Sequence, residues 1–71
     1  ALMLELYVKD GCPYCWKQIE ELEEEGLSYR LHNVSQDRSA LREAKEKYKA
    51  RIVPVLVENG KVKSFGYRGM G

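Results

Sequence analysis

The chain has one histidine, two cysteines and no apolar run longer than the six residues of IVPVLV at 52–57. A closed zinc site takes four ligands, usually cysteines and histidines, so one chain cannot build one. A membrane span needs roughly 20 apolar residues, which excludes a transmembrane helix. The start, ALMLELYV, lacks the basic segment and cleavage site of a signal peptide. A reducing cytoplasm is therefore the expected compartment, and there a cysteine pair is more often catalytic or metal-binding than structural. Nor is there an excess of either charge: 12 basic against 11 acidic side chains. Bulk electrostatics thus points to no nucleic-acid partner.

What is present fits a small globular protein. Of the 71 residues, 44% are hydrophobic and only two are proline. One domain over 1–71 is expected, hiding only about 60% of the surface its unfolded chain exposes. The charges are segregated: EELEEE fills 20–25, whereas Arg42, Lys45, Lys47, Lys49 and Arg51 follow later. Solvated helix faces explain both runs, with a protein-docking surface as the alternative. No aromatic platform interleaves with the basic residues to hold bases.

Alternation at Leu4, Leu6 and Val8 predicts a first strand. Cys15, Ile19, Leu22 and Gly26 then fall on one helical stripe, which Gly26 ends. Alternation returns over 28–34. A second helix follows, capped by Ser35, Asp37 or Ser39 and marked on its apolar side by Leu41, Ala44 and Tyr48. IVPVLV reads as a third strand, and Asn59-Gly60 turns into a fourth from Lys61 to about Tyr67. The order β-α-β-α-β-β implies an α/β fold, a four-stranded mixed sheet with a parallel first pair and helices on its faces.

Both cysteines lie in KDGCPYC, at 12 and 15. A strand-to-helix switch there puts Cys12 at a helix N-terminus, where free N–H groups and the dipole favour an anion. Thiols in such places are more acidic than free cysteine, and Lys9 adds a cation. Pro13 suits the first helical position. One turn separates the two Cα atoms, about 5 Å, within disulfide range. Cys12 is expected to be exposed and Cys15 to face the core, which describes a nucleophile and a resolving thiol. A metal or cluster shared between two chains stays open, with no metal held by one. A purely structural disulfide here closes too short a loop to contribute much. His32, in a strand pattern, reads as structural.

These residues resemble the glutaredoxins, the glutathione-linked branch of the thioredoxin superfamily. CPYC at 12–15 is similar to that family's dithiol motif, Lys9 to the lysine preceding it, Arg51-Ile52-Val53-Pro54 to its Thr-Val-Pro segment, and Asn59-Gly60-Lys61 to the following turn. The resemblance implies a thioredoxin-like fold and a cis Val53–Pro54 bond facing the cysteines. It also implies thiol–disulfide oxidoreductase activity on protein disulfides, with glutathione as co-substrate and no prosthetic group. Backbone exposed at Val53 then pairs with an extended thiol peptide.

The tail differs. Glutaredoxins continue into Gly-Gly, an aspartate and a third helix, whereas this chain reads Gly66-Tyr67-Arg68 and ends at Gly71. A missing third helix is the expectation, and with it a thinly covered sheet face. Gly66-Tyr67-Arg68 looks more like the tail of the glutaredoxin-like redoxins that serve ribonucleotide reductase and are recharged by thioredoxin reductase. The resemblance gives Lys9, Tyr14, Arg51, Val53, Pro54, Gly66, Tyr67 and Arg68 as substrate-binding candidates. Lys9 and Arg51 meet the glycyl carboxylate of glutathione in this reading, and N–H groups near Gly66 the γ-glutamyl carboxylate. Tyr14 and Tyr67 flank the bound thiol. Tyr7, Tyr29 and Tyr48 read as core or half-buried residues, and Trp16 as packed beside Cys15, with partial exposure near the site and contact to a partner as the alternative. A non-catalytic partner-binding or cluster-holding module is the competing class.

Overall fold

A computed structural model describes residues 3–50 and 52–67. Strand β1 (Leu4–Val8) leads into helix α1 (Pro13–Glu24), then β2 (Arg30–Asn33) and α2 (Arg38–Arg42), whose continuation Glu43–Lys47 widens into a π-helical turn. Strands β3 (Val55–Glu58) and β4 (Lys61–Phe65) complete a four-stranded sheet in the order β2-β1-β3-β4. The β1/β2 pair is parallel, with Leu6 opposite Leu31, and β1/β3 and β3/β4 are antiparallel.

The period of two in β1 sorts its side chains between the faces. Leu4, Leu6 and Val8 pack with Leu56 against Cys12, Cys15 and Leu22 of the α1 side. Tyr7, Val55 and Val57 pack on the other side with Ala40, Ala44 and Tyr48. Each face thus carries one helical layer, as the alternating pattern requires. On the α1 side an open groove of about 290 Å³ runs along the helix over β3 and β4, lined by Gln18, Leu22, Leu56, Lys63 and Tyr67. Leu22 and Leu56 at its floor are nonetheless buried.

Several boundaries differ from the sequence reading. β2 spans four residues rather than 28–34, because Ser28 and Tyr29 precede the ladder with β1. β3 begins at Val55, since the cis Val53–Pro54 bond turns the chain before pairing starts and Pro54 has no N–H to give. β4 ends at Phe65, and Gly66 (φ 74) bends the chain away. In α1 the buried positions are Cys15, Gln18 and Leu22, with Ile19 half-buried, so the stripe runs one residue to the side of the expected one. Of the three candidate caps for α2, Asp37 serves: its Oδ1 accepts from Ser39 N–H at 3.0 Å and Ala40 N–H at 3.3 Å.

Tyr7 is fully buried at the centre of the second layer. Its hydroxyl donates to Glu43 Oε1 in the π turn, and its ring stacks on His32 at 4.7 Å. His32 in turn reaches Glu5 at 3.1 Å, so the histidine is a structural side chain of the sheet. Burial first, and Glu43 second, hold the Tyr7 hydroxyl well above the usual tyrosine range. Tyr48 is buried and Tyr29 half-buried, as expected of core positions. Among the described residues no helix is long and apolar enough to cross a membrane.

Candidate active site

The β1–α1 connection turns at Gly11, whose φ of +72 places it where an L side chain is strained. Cys12 follows with extended backbone (φ −98, ψ 107) as the N-cap, and Pro13 takes the first helical position. The Cys12 Sγ accepts the backbone N–H of Cys15 at 3.3 Å, a sulfur in the role that Ser or Asp oxygen fills at other caps. The sulfur thus lies at the head of α1, beside N–H groups that a helix leaves unpaired in its first turn. Both thiols are free, so this is the dithiol state.

Two expectations are corrected here. Cys12 is not exposed: its accessibility is 3%, equal to that of Cys15. The capping bond explains this, because it swings the sulfur over the first turn and into the cluster with Val8 and Leu56. Trp16 is 66% exposed, so of its two readings packing beside Cys15 is overturned. It points away because Cys15 faces the sheet and the next residue is rotated about 100° around the helix.

Cys15 differs from Cys12 in its surroundings. Burial in the apolar cluster, first, and its hydrogen bond with Cys12, second, push its thiol up to about 12, against the lowering influence of the Lys9 backbone and charge. Cys15 therefore holds its proton at neutral pH. The pair is electrostatically asymmetric although it is sterically alike.

Tyr14 is half-buried against the α1-side cluster, with the Lys17 ammonium 5.6 Å from its ring centre. Val53 packs against both clusters, just ahead of the interior strand β3. Gly66 is joined to the cis-proline: its N–H donates to the Pro54 carbonyl at 2.6 Å. That donor is engaged within the chain. Tyr67 lines the groove along α1 and also a separate, more polar concavity with Lys17, Glu20 and Glu24. The structure thus joins Lys9 to the cysteines and Gly66 to Pro54, and places Tyr67 along the flank of α1. Arg51 and Arg68 lie outside the described residues.

One set of residues escaped the sequence reading. Asp10 N–H donates to Ser35 Oγ at 3.1 Å, Asn33 Nδ2 donates to Asp10 Oδ1 at 2.9 Å, and Ser35 N–H donates to Asn33 Oδ1 at 2.9 Å. These bonds tie the turn before Cys12 to the end of β2. The Asn33–Ser35 part is an Asx turn, and an Asn near the end of a strand pattern is its only sequence signal.

The protein-family model described as glutaredoxin matches residues 4–63, most of the chain. Among solved structures the fold is similar to that of the thioredoxin-like protein BC3987, at 26% identity and a TM-score of 0.86, over 90% of this chain and 86% of that one. It is also similar to glutaredoxin 1 from Francisella tularensis, solved with cacodylate, at 21% identity and a TM-score of 0.72, over 96% of this chain and 86% of that one. Wheat glutaredoxin gives 20% identity and a TM-score of 0.75, over 92% of this chain and 62% of that one. At these last two identities the likeness concerns the fold alone. No curated protein matches the sequence.

Proposed function

Because this chain belongs to the glutaredoxin family, we propose that it is a thiol–disulfide oxidoreductase working through Cys12 and Cys15, with glutathione as co-substrate. The observation that carries the reading is the unequal pair: Cys12 sulfur accepting an N–H at the head of α1, and Cys15 kept protonated by burial. The Cys12 thiolate attacks one sulfur of a disulfide, the S–S bond breaks, and the other half leaves as a thiolate. A mixed disulfide remains on Cys12. Cys15, after giving up its proton, attacks the Cys12 sulfur, releasing the second half and leaving the Cys12–Cys15 disulfide. Two electrons have then passed to the substrate. Two molecules of glutathione return them, forming oxidised glutathione.

Lys9, Tyr14, Val53, Pro54, Gly66 and Tyr67 are proposed to border the bound thiol, with Arg51 and Arg68 assigned on the sequence pattern alone. No metal or organic prosthetic group takes part, and the compartment is the cytoplasm. The altered tail supports a second reading, a redoxin recharged by thioredoxin reductase and serving ribonucleotide reductase. A cation at Arg68, where glutaredoxins offer an aspartate to the glutathione ammonium, weakens the tripeptide in that comparison.

The test is turnover of a glutathionylated peptide and of insulin disulfides with the glutathione and thioredoxin reductase systems side by side. Turnover with glutathione supports the first reading, and turnover with thioredoxin reductase alone the second. Reduction by neither, with a visible absorption band after anaerobic purification, would establish a cluster-holding module instead.

A further inference from the structure

Beside the site lies a second concavity. It has a volume of about 220 Å³ and is walled by Leu41, Ala44, Ala50, Ile52 and Val53. Among the described residues, the charged ones in its lining are Lys9 and Lys45, both exposed. Among the described residues of the lining none is acidic. Lysines in this situation lay their aliphatic stems along an apolar wall and keep the ammonium in water at its rim. Two of the lining residues belong equally to the redox site: Lys9 acts on Cys15, and Val53 packs against the cluster that holds both cysteines.

A cavity of roughly 150 Å³ lined by aliphatic and aromatic side chains is enough to take benzene. The volume here therefore accepts a leucine- or phenylalanine-sized group. The chemistry asks for an apolar body with an anionic end close to it. In a peptide both features fall on one residue when an aliphatic or aromatic residue carries the C-terminal carboxylate. A glycine there presents the carboxylate and leaves the apolar walls unfilled.

We propose that this cavity is a specificity pocket for the residue after the substrate cysteine, and that it selects disulfides in which that residue is apolar and C-terminal. The proposal rests on the oxidoreductase reading and names the substrate class of that site. The substrate lies with its cysteine sulfur at Cys12 and its backbone along Val53. The following side chain enters between Leu41, Ala44 and Ala50, and its carboxylate meets Lys9 and Lys45 through charge-assisted hydrogen bonds. Glutathione occupies the same path but gains nothing from the apolar walls.

The experiment uses the reduced full chain as the electron donor, so that no reductase enters. It is mixed with the symmetrical disulfides of Cys-Leu and Cys-Gly, as free acids and as C-terminal amides, and quenched by alkylation. One protein dithiol and one peptide disulfide give one protein disulfide and two peptide thiols. Each rate is normalised to the rate of the same disulfide with dithiothreitol, which removes intrinsic reactivity. Burial of a leucine side chain in an open pocket predicts about a tenfold advantage of Cys-Leu over Cys-Gly. Amidation lowers the Cys-Leu rate severalfold. Ala50→Leu, which fills the cavity from a half-buried position, brings the Cys-Leu to Cys-Gly ratio towards one. Lys45→Glu, at an exposed position, lowers the ratio of acid to amide. Equal normalised rates for Cys-Leu and Cys-Gly would overturn the pocket while leaving the oxidoreductase reading intact. A preference that survives both substitutions would overturn it as well. If neither these disulfides nor hydroxyethyl disulfide oxidise the chain, the redox reading itself falls, and the pocket with it.

Discussion

The backbone N–H of Cys15 donates to the sulfur of Cys12 across one turn of α1, 3.3 Å away. This contact makes the first cysteine the cap of its own helix. It also draws the sulfur inwards, so the nucleophile is assigned by its place at the head of the helix rather than by exposure. Replacing Cys12 by serine keeps a capping oxygen and removes the nucleophile.

Cys12→Ser is accordingly expected to abolish exchange with every disulfide while leaving the urea midpoint nearly unchanged. Cys15→Ser is expected to keep turnover of glutathionylated peptides and to lose the reduction of protein disulfides. Activity and urea denaturation of the two variants check this. Alkylation of the reduced protein at mildly acidic pH should label Cys12 first, and equal labelling of both thiols would refute the assignment.

A pH dependence follows from Cys15. Its thiol is raised from an ordinary value of 9.0 to about 12 by burial and by Cys12. In the unfolded chain it ionises first, so above pH 9 the unfolded state binds fewer protons than the folded one. Its contribution to stability is complete below pH 9 and is lost as pH rises towards 12. The urea midpoint of the parent should fall over that window more steeply than that of Cys15→Ala. Parallel curves would show that Cys15 ionises as readily folded as unfolded.

How much of this was readable beforehand depends on what carried the information. The alternation of Leu4, Leu6 and Val8, the Cys-Pro junction and Asn59-Gly60 are local signals, and they located β1, the head of α1 and the β3–β4 turn. Gln18 was missed because a glutamine in a helix reads as solvent-facing until β3 and β4 are known to lie beside it. The widening of α2 at Glu43–Lys47 has no periodic signature, since it depends on how the turn meets Tyr7. The inward direction of Cys12 and the engaged Gly66 N–H are side-chain and backbone orientations that residue spacing does not encode.

The Asp10–Asn33–Ser35 bonds hold the turn that presents Cys12, so their loss should slow exchange without touching the sulfur itself. Asp10→Ala removes the acceptor for Asn33. It is expected to cost about 1 kcal/mol of stability and to lower kcat severalfold on a glutathionylated peptide. Asp10→Asn keeps Oδ1 as an acceptor and should restore most of the rate. A rate equally depressed in both variants would point to the charge of Asp10, rather than to its grip on Asn33.

The buried Tyr7 hydroxyl offers the clearest separation of packing from ionisation, because its ring and its oxygen have different neighbours. The ring packs on His32 and Tyr48, while the oxygen donates to Glu43. Tyr7→Phe retains the ring and leaves the Glu43 carboxylate, which is only half-buried, to find water. The loss at neutral pH should therefore stay near 1 kcal/mol, the net worth of one hydrogen bond, rather than the larger cost of a buried unsatisfied group. At alkaline pH the order changes. Tyr7 in the folded chain titrates well above its ordinary value of 10.0, whereas unfolding releases it to ionise there. The parent thus loses stability as pH rises above 10, and Tyr7→Phe is free of that component. Urea midpoints of the two proteins should converge between pH 9 and 11. A gap that stays constant across that range would mean that Tyr7 ionises without unfolding, and that the Glu43 contact does not hold its proton.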